Sequence, residues 1–123
     1  TVKVESALNQ QEALKTAFDI AHSPLVKTAL FASDPNWGRI LAVVGRAGVQ
    51  GLDVDRVQLH INGFEVARDG GRSPDYLEEH GKKAMAPAEI HIVLDLGMGA
   101  ESDTVWTTDF SHEYVTINAE YRT

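Results

Sequence analysis

The sequence predicts an α+β fold in which helices pack on a mainly antiparallel or mixed sheet. In the first half of the chain, apolar residues recur at intervals of three and four, which is typical of amphipathic helices. In the second half they alternate with polar residues, which is typical of strands with one buried face. The chain has 123 residues, of which 43% are hydrophobic, and a chain of that size buries roughly two-thirds of its unfolded surface. We therefore expect a single domain over residues 1–123.

Start and stop signals predict three helices after a short alternating strand at residues 2–5. Asn9 is a candidate N-cap with Glu12 three residues later. Ser23-Pro24 and Asp34-Pro35 each combine a capping residue with proline at the first helical position, and Gly48 ends the third helix. The residues that this spacing makes core candidates are Ala13, Leu14, Ala17, Phe18, Ala21, Leu25, Val26, Ala29, Leu30, Ile40, Leu41, Val43, Val44 and Ala47.

Strand patterns dominate after residue 56. Asn62-Gly63 separates two alternating runs, which predicts a hairpin with a type I′ turn. Ser73-Pro74 is expected to cap a short helix that continues to about Glu79 and is closed by Gly81. A strand then alternates from residue 90 to residue 96, turns back over residues 97–101 and returns over residues 104–110. Residues 114–117 fit either a strand or a short helical segment.

Composition excludes several classes of function. No apolar run approaches the ~20 residues that a membrane helix needs. The absence of cysteine excludes disulfide scaffolds and thiolate metal sites, and the five histidines form no HxxxH pair, so we expect no metal site and no cofactor. A net charge of −7 disfavours a nucleic-acid partner.

Two features of the sequence each have two interpretations, one structural and one functional. Thr1 is either an N-terminal nucleophile that uses its own amino group as base, or simply the first residue of a strand. Residues 34–39 (DPNWGR) combine a cap, a rigid proline and a glycine in a first helical turn. They form either a packed helix start or a contact for a ligand or partner, since helix N-termini bind anions.

Two segments and the chain end carry a resemblance to a known family. Residues 23–29 (SPLVKTA) and 34–39 (DPNWGR) closely resemble motifs of the ornithine acetyltransferase family, the bifunctional glutamate N-acetyltransferases of arginine biosynthesis. Residues 114–123 (YVTINAEYRT) look like the C-terminus of that family. The resemblance extends in order over essentially the whole chain.

The resemblance implies a cytoplasmic, autoprocessed enzyme with a threonine nucleophile. In that family, a precursor cuts itself into an α and a β chain, and acetyl passes from N-acetylornithine to the new N-terminal threonine and then to glutamate. The α chain supplies the oxyanion hole. Bifunctional members also accept acetyl-CoA, and the intact enzyme is expected to be a homodimer of αβ units.

The start of this chain departs from the family's cleavage site, which reads roughly Ala-Thr-Met-Leu. Thr1-Val-Lys-Val aligns well inside the β chain instead, so the resemblance implies a C-terminal β-chain domain that lacks the nucleophile and is inactive alone. Two substrate-binding residues carry over, Asn118 and Thr123, and no catalytic residue does. The alternative from a different class is an amino-acid-binding regulatory module without catalysis.

Overall fold

The structure, a computed structural model, describes residues 1–107. These residues form six strands, four α-helices and a 3-10 turn at Val54–Arg56. In chain order the elements are β1 (Val2–Ala7), α1 (Gln10–Ala21), α2 (Pro24–Phe31), α3 (Trp37–Arg46), β2 (Gln58–Ile61), β3 (Phe64–Arg68), β4 (Gly71–Arg72), α4 (Glu78–Met85), β5 (Ile92–Asp95) and β6 (Glu101–Val105). No helix among them is both long enough and apolar enough to cross a membrane.

The strands form one sheet in the order β4-β3-β2-β5-β1-β6. Among these strands, β1 and β5 run parallel and the other neighbours run antiparallel. The predicted α+β fold with a mixed sheet is therefore confirmed. Within residues 1–107, the helices that the sequence predicted after Asn9 and Ser23 start where expected, since both side chains accept a backbone N–H of the first turn.

The core lies between one face of the sheet and the helices. Alternate residues of the central strands are fully buried on that face, including Val4, Leu59 and Leu94. Residues from all four described helices join them in a single apolar cluster. The opposite face carries partly or largely exposed polar side chains, among them Lys3 and His60. The described part of the chain is thus a two-layer structure with one solvent-facing side of the sheet.

β6 does not form the expected hairpin with β5. β5 already pairs with β2 on one edge and with β1 on the other, so β6 pairs with the free edge of β1. The connection crosses the end of β1, where the backbone N–H groups of Met98 and Gly99 both donate to the Ser6 carbonyl at 2.8 Å. β6 also begins at Glu101, earlier than the predicted residue 104; the last three residues of that predicted strand, 108–110, lie outside the described residues.

Part of the predicted helical core stripe is exposed. Leu14, Phe18 and Leu25 keep 45%, 51% and 55% of their surface accessible. α1 contacts the sheet through a strip of small side chains, which includes Ala13 and Ala17, and this places Leu14 and Phe18 on its flank. Phe18 stacks there on His22 with ring centroids 3.9 Å apart.

The predicted helix at Ser73-Pro74 is also wrong. Residues 73–76 form a turn closed by the Tyr76 N–H on the Ser73 carbonyl, and α4 starts five residues after Ser73. The Ser73 hydroxyl donates to Glu65 Oε1 at 2.9 Å, and the N-cap of α4 is Leu77. Gly81 lies inside α4 instead of closing it.

The Asn62-Gly63 turn is confirmed and does more than reverse the chain. Both residues have positive φ, 47° and 82°. The Asn62 amide donates to the carbonyls of Ala84 and Glu89, and its oxygen accepts the His91 N–H at 2.9 Å. One side chain therefore ties the hairpin to the end of α4 and to the approach to β5.

Replacing Asn62 by glycine tests this network. Glycine adopts the same positive φ without strain, so Asn62→Gly removes three hydrogen bonds and leaves the turn geometry intact. We expect a loss of about 2 kcal/mol in the free energy of unfolding, measured by urea denaturation. Asp69→Gly is the matched control, because Asp69 also has positive φ (53°) and is exposed. Equal effects of the two substitutions would contradict the role given to Asn62.

Candidate functional site

The junction between α2 and α3 has the structure of a helix end followed by a new cap. Ser33 has a φ of 56°, and its N–H donates to the Leu30 carbonyl at 3.0 Å. The Asp34 N–H donates to the Ala29 carbonyl at 2.8 Å. These two bonds are the paired closing bonds of a Schellman motif. The Asp34 backbone therefore belongs to the C-terminal cap of α2, and the prediction that Asp34 caps the next helix is wrong.

Asn36 is the actual N-cap of α3. Its side-chain oxygen accepts the Arg39 N–H at 3.0 Å, and its amide donates to the Asp34 carboxylate at 3.2 Å. The Arg39 guanidinium donates to the Leu25 carbonyl at 3.1 Å and so links α3 to α2. The polar side chains of residues 34–39 thus bond to one another and to backbone groups nearby, which favours the packed helix start over the ligand contact.

A groove of about 570 Å³ nevertheless lies between this junction and α4. Pro35 lies against Gly81, and the Tyr76 hydroxyl approaches the same glycine so closely that a Cβ there would overlap it. The groove carries charges of both signs. The lining residues are Ala32, Ser33, Asp34, Pro35, Asn36, Trp37, Gly38, Tyr76, Glu78, Gly81 and Lys82.

The phenol of Tyr76 stays neutral under ordinary conditions. Burial raises its pKa, and the nearby carboxylates of Asp34 and Glu78 raise it further, against the opposing effect of Arg72. The Arg72 guanidinium lies 5.5 Å from the centroid of the Tyr76 ring. The groove therefore offers a neutral hydroxyl between charged groups, which suits polar contacts.

Sequence reasoning missed a charged cluster at the other side of the sheet. Glu65 Oε1 accepts from Arg68 Nε at 2.6 Å and from the Ser73 hydroxyl at 2.9 Å, and His60 Nε2 lies 3.8 Å from Glu65 Oε2. The Arg68 hydrogen bond is the main cause that lowers the pKa of Glu65, and burial opposes it. The three-residue spacing of Glu65 and Arg68 was a weak signal for this pair, but nothing in the sequence placed Ser73 beside them.

The predicted substrate-binding residues, Asn118 and Thr123, lie outside the described residues. Thr1 lies directly before β1 and is held by backbone hydrogen bonds. Its amino group donates to the Ile90 carbonyl at 2.8 Å, and its own carbonyl accepts the Ile92 N–H at 2.8 Å. Within residues 1–107, no three acidic or histidine side chains form a group that could hold a metal ion.

The close contacts of Gly81 predict that its replacement by alanine lowers stability, although alanine is usually the better residue inside a helix. Gly81→Ala is expected to destabilise the chain by about 1–3 kcal/mol, because the new methyl group overlaps Pro35 and the Tyr76 hydroxyl. Gly45→Ala in α3 is the matched control: its Cβ meets no atom within 4 Å, and alanine is the better helix former by about 1 kcal/mol. Thermal unfolding of both variants measures the contrast, and stabilisation by Gly81→Ala would contradict the contact.

The Glu65 cluster predicts a pH-dependent contribution to stability. A lowered pKa means that the folded state favours the carboxylate, so the stabilisation is present above the unfolded pKa of about 4.3 and is lost as the pH falls through the lowered value. Glu65→Gln should therefore cost stability at pH 7 and much less at pH 3, as measured by urea unfolding. The difference between the two pH values should shrink in an Arg68→Gln background. An equal cost at both pH values would count against the interaction.

Comparisons with known proteins agree with one another. The model of the ArgJ family matches residues 1–123. Two curated relatives, each called arginine biosynthesis bifunctional protein ArgJ, come from Pseudomonas syringae pv. tomato and Pseudomonas fluorescens. They are 58% and 55% identical over all 123 residues. The chain spans only 30% of the length of each of these relatives.

A solved structure supports the same assignment through the fold. The crystal structure of arginine biosynthesis bifunctional protein ArgJ from Bacillus halodurans matches with a TM-score of 0.82 and 31% sequence identity. The match covers 98% of this chain and 56% of the crystallised chain. Because the family match extends over the whole sequence, this chain belongs to the ArgJ family.

Proposed function

We propose that this chain is the C-terminal β-chain domain of an ornithine acetyltransferase and contributes to a substrate pocket completed by other parts of the enzyme. The observation that carries the proposal is the family match over all 123 residues, together with relatives that are about three times as long. The names of those relatives give arginine biosynthesis as the process.

The proposed reaction is acetyl transfer in two steps. A threonine hydroxyl outside this chain attacks the acetyl carbonyl of N-acetylornithine, the acetyl–nitrogen bond breaks, and ornithine leaves with a proton on its amine. The amino group of glutamate then attacks the acetyl ester, forms N-acetylglutamate and returns the proton to the threonine. Bifunctional members of the family also load the threonine from acetyl-CoA.

In this proposal, residues 1–123 orient the substrate and do not perform the acyl transfer. An asparagine both donates and accepts hydrogen bonds, which suits the charged α-groups of an amino acid, and we assign this contact to Asn118. The hydroxyl of Thr123 adds a second contact. The amino group of Thr1 is bonded to a backbone carbonyl, which supports the view that Thr1 is not the nucleophile and that the isolated chain is inactive.

The proposed partners are the α chain and the remainder of the β chain, produced by self-cleavage in the cytoplasm, with two αβ units forming a homodimer. We assign Leu14 and Phe18, which are half-exposed and lie one turn apart on α1, to the contact with these partners.

The full-length protein containing this chain tests the assignment of site residues. Asn118→Ala and Thr123→Ala should each raise KM for N-acetylornithine by about tenfold, because each removes a hydrogen bond to a charged substrate. Thr123→Ser keeps the hydroxyl and is the matched control, with KM close to that of the parent. Unchanged KM in both alanine variants would reject the assignment.

The isolated chain separates the proposal from the regulatory module. Residues 1–123 alone should transfer no acetyl group from N-acetylornithine to glutamate, and isothermal titration with ornithine, glutamate or arginine should show weak binding at most. Tight binding of one of these amino acids without catalysis would favour the regulatory module instead.

A further inference from the structure

The turn between β2 and β3 combines two residue types that favour deamidation, a reaction of the chain with itself. Asparagine is a thermolabile residue, because the peptide nitrogen of the following residue can attack its side-chain carbonyl carbon. Glycine in the following position leaves that nitrogen unobstructed, since glycine has no Cβ. Asn62 is the only asparagine of the chain that glycine follows.

The attacking group of this reaction, the Gly63 nitrogen, is open to solvent. Gly63 is exposed, and a Cβ built on it meets no atom within 4 Å. Attack requires that water or hydroxide first removes the proton from the Gly63 N–H. The position of Gly63 at the tip of the hairpin gives solvent this access, so the attacking nitrogen itself is not protected by the fold.

The side chain of Asn62 is held by the fold at both ends of its amide. Its nitrogen donates to the Ala84 carbonyl at 2.6 Å and to the Glu89 carbonyl at 3.2 Å, and its oxygen accepts the His91 N–H at 2.9 Å. These partners lie 22 to 29 positions further along the chain. The three bonds therefore exist only while the hairpin, α4 and the approach to β5 are assembled.

We propose that Asn62-Gly63 is a modification site of this chain, at which the folded structure suppresses deamidation and opening of the hairpin–α4 contact permits it. The amide of Asn62 has to leave its three partners before its carbonyl carbon meets the Gly63 nitrogen. The proposal concerns a chemical change of the chain itself and does not depend on the acetyl transfer proposed above.

The reaction consumes only water and releases ammonia. After the Gly63 N–H proton passes to solvent, the nitrogen bonds to Cγ of Asn62, the bond from Cγ to Nδ2 breaks, and Nδ2 takes up a proton and leaves as ammonia. Water then opens the cyclic imide that has formed. Cleavage between Cγ and the Gly63 nitrogen gives aspartate. Cleavage between that nitrogen and the main-chain carbonyl carbon gives isoaspartate, in which the chain continues through Cγ.

Both products weaken the contact between the hairpin and α4. Aspartate in place of Asn62 still accepts the His91 N–H, but it has no donor for the carbonyls of Ala84 and Glu89, and its charge faces them instead. Isoaspartate adds one carbon atom to the main chain of a two-residue turn, whose length sets the register of β2 and β3. The modified chain therefore opens more readily than the parent chain.

The first test compares conversion of Asn62 in folded and unfolded protein. The full-length protein containing this chain is incubated at mildly alkaline pH with and without urea, and peptide mapping by mass spectrometry measures aspartate and isoaspartate at residue 62. We expect conversion to be about thirtyfold slower without urea, the factor that corresponds to the loss of stability expected above for the Asn62 hydrogen bonds. Equal rates with and without urea would overturn the proposal.

Asn36 provides an internal control in the same digests, because the bulky Trp37 follows it. In urea, where tertiary contacts are lost, Asn36 should convert much more slowly than Asn62. Conversion of both residues at the same rate in urea would contradict the role given to Gly63.

A second test measures the consequence of the modification. Asn62→Asp reproduces one product, and it should lower the melting temperature of the full-length protein by several degrees. Asn9→Asp is the matched control: it makes the same change at an exposed N-cap, where aspartate caps a helix as well as asparagine does. Equal melting temperatures of the two variants would overturn the inference that deamidation loosens the hairpin–α4 contact.

Discussion

The parallel alignment of β1 with β5 is the constraint on which the rest of the described structure depends. Val2 pairs with Ile92 and Val4 with Leu94, so strands from opposite ends of residues 1–107 meet at the middle of the sheet. The chain between β1 and β5 has to connect these two strands, and its helices lie over one face of the sheet. A strand has two hydrogen-bonding edges, and both edges of β5 are used. β6 is therefore displaced to the outer edge of β1, and this brings Thr107 to α2.

The sequence predicted those features that depend on a few neighbouring residues. Asn9 and Ser23 act as caps because the accepted N–H lies within the next turn, and Asn62-Gly63 reverses the chain because both residues tolerate positive φ. Alternation also identified the buried face of β5. It could not identify the neighbour of β5, because a period of two tells which side chains face the core and not which strand lies alongside.

The wrong cap predictions show that a capping dipeptide does not by itself determine where a helix begins. Ser23-Pro24 and Ser73-Pro74 are the same dipeptide. Ser23 caps α2, whereas the Ser73 hydroxyl donates a hydrogen bond to Glu65 and no helix starts there. Asp34-Pro35 carries the same kind of capping signal, but the Asp34 N–H closes the end of α2 and Asn36 caps α3. The sequence predicted the family correctly, from motifs whose residues pack the α2–α3 junction. The substrate-binding roles of Asn118 and Thr123 remain predictions, since both residues lie outside the described part of the chain.

Lys27 on α2 shows how a buried charged side chain adds a directional contact to a domain that is otherwise held by apolar packing and strand pairing. The apolar face of β1 and the alanine strip of α1 determine how much volume their side chains fill. Such packing tolerates small shifts of one element relative to the other. The register of β1 and β6 specifies position, but only as far as Val105. The hydrogen bond from the buried ammonium group of Lys27 also fixes the position of Thr107. The buried Lys27 therefore ties the position of α2 to that of Thr107, at the end of the described part of the chain.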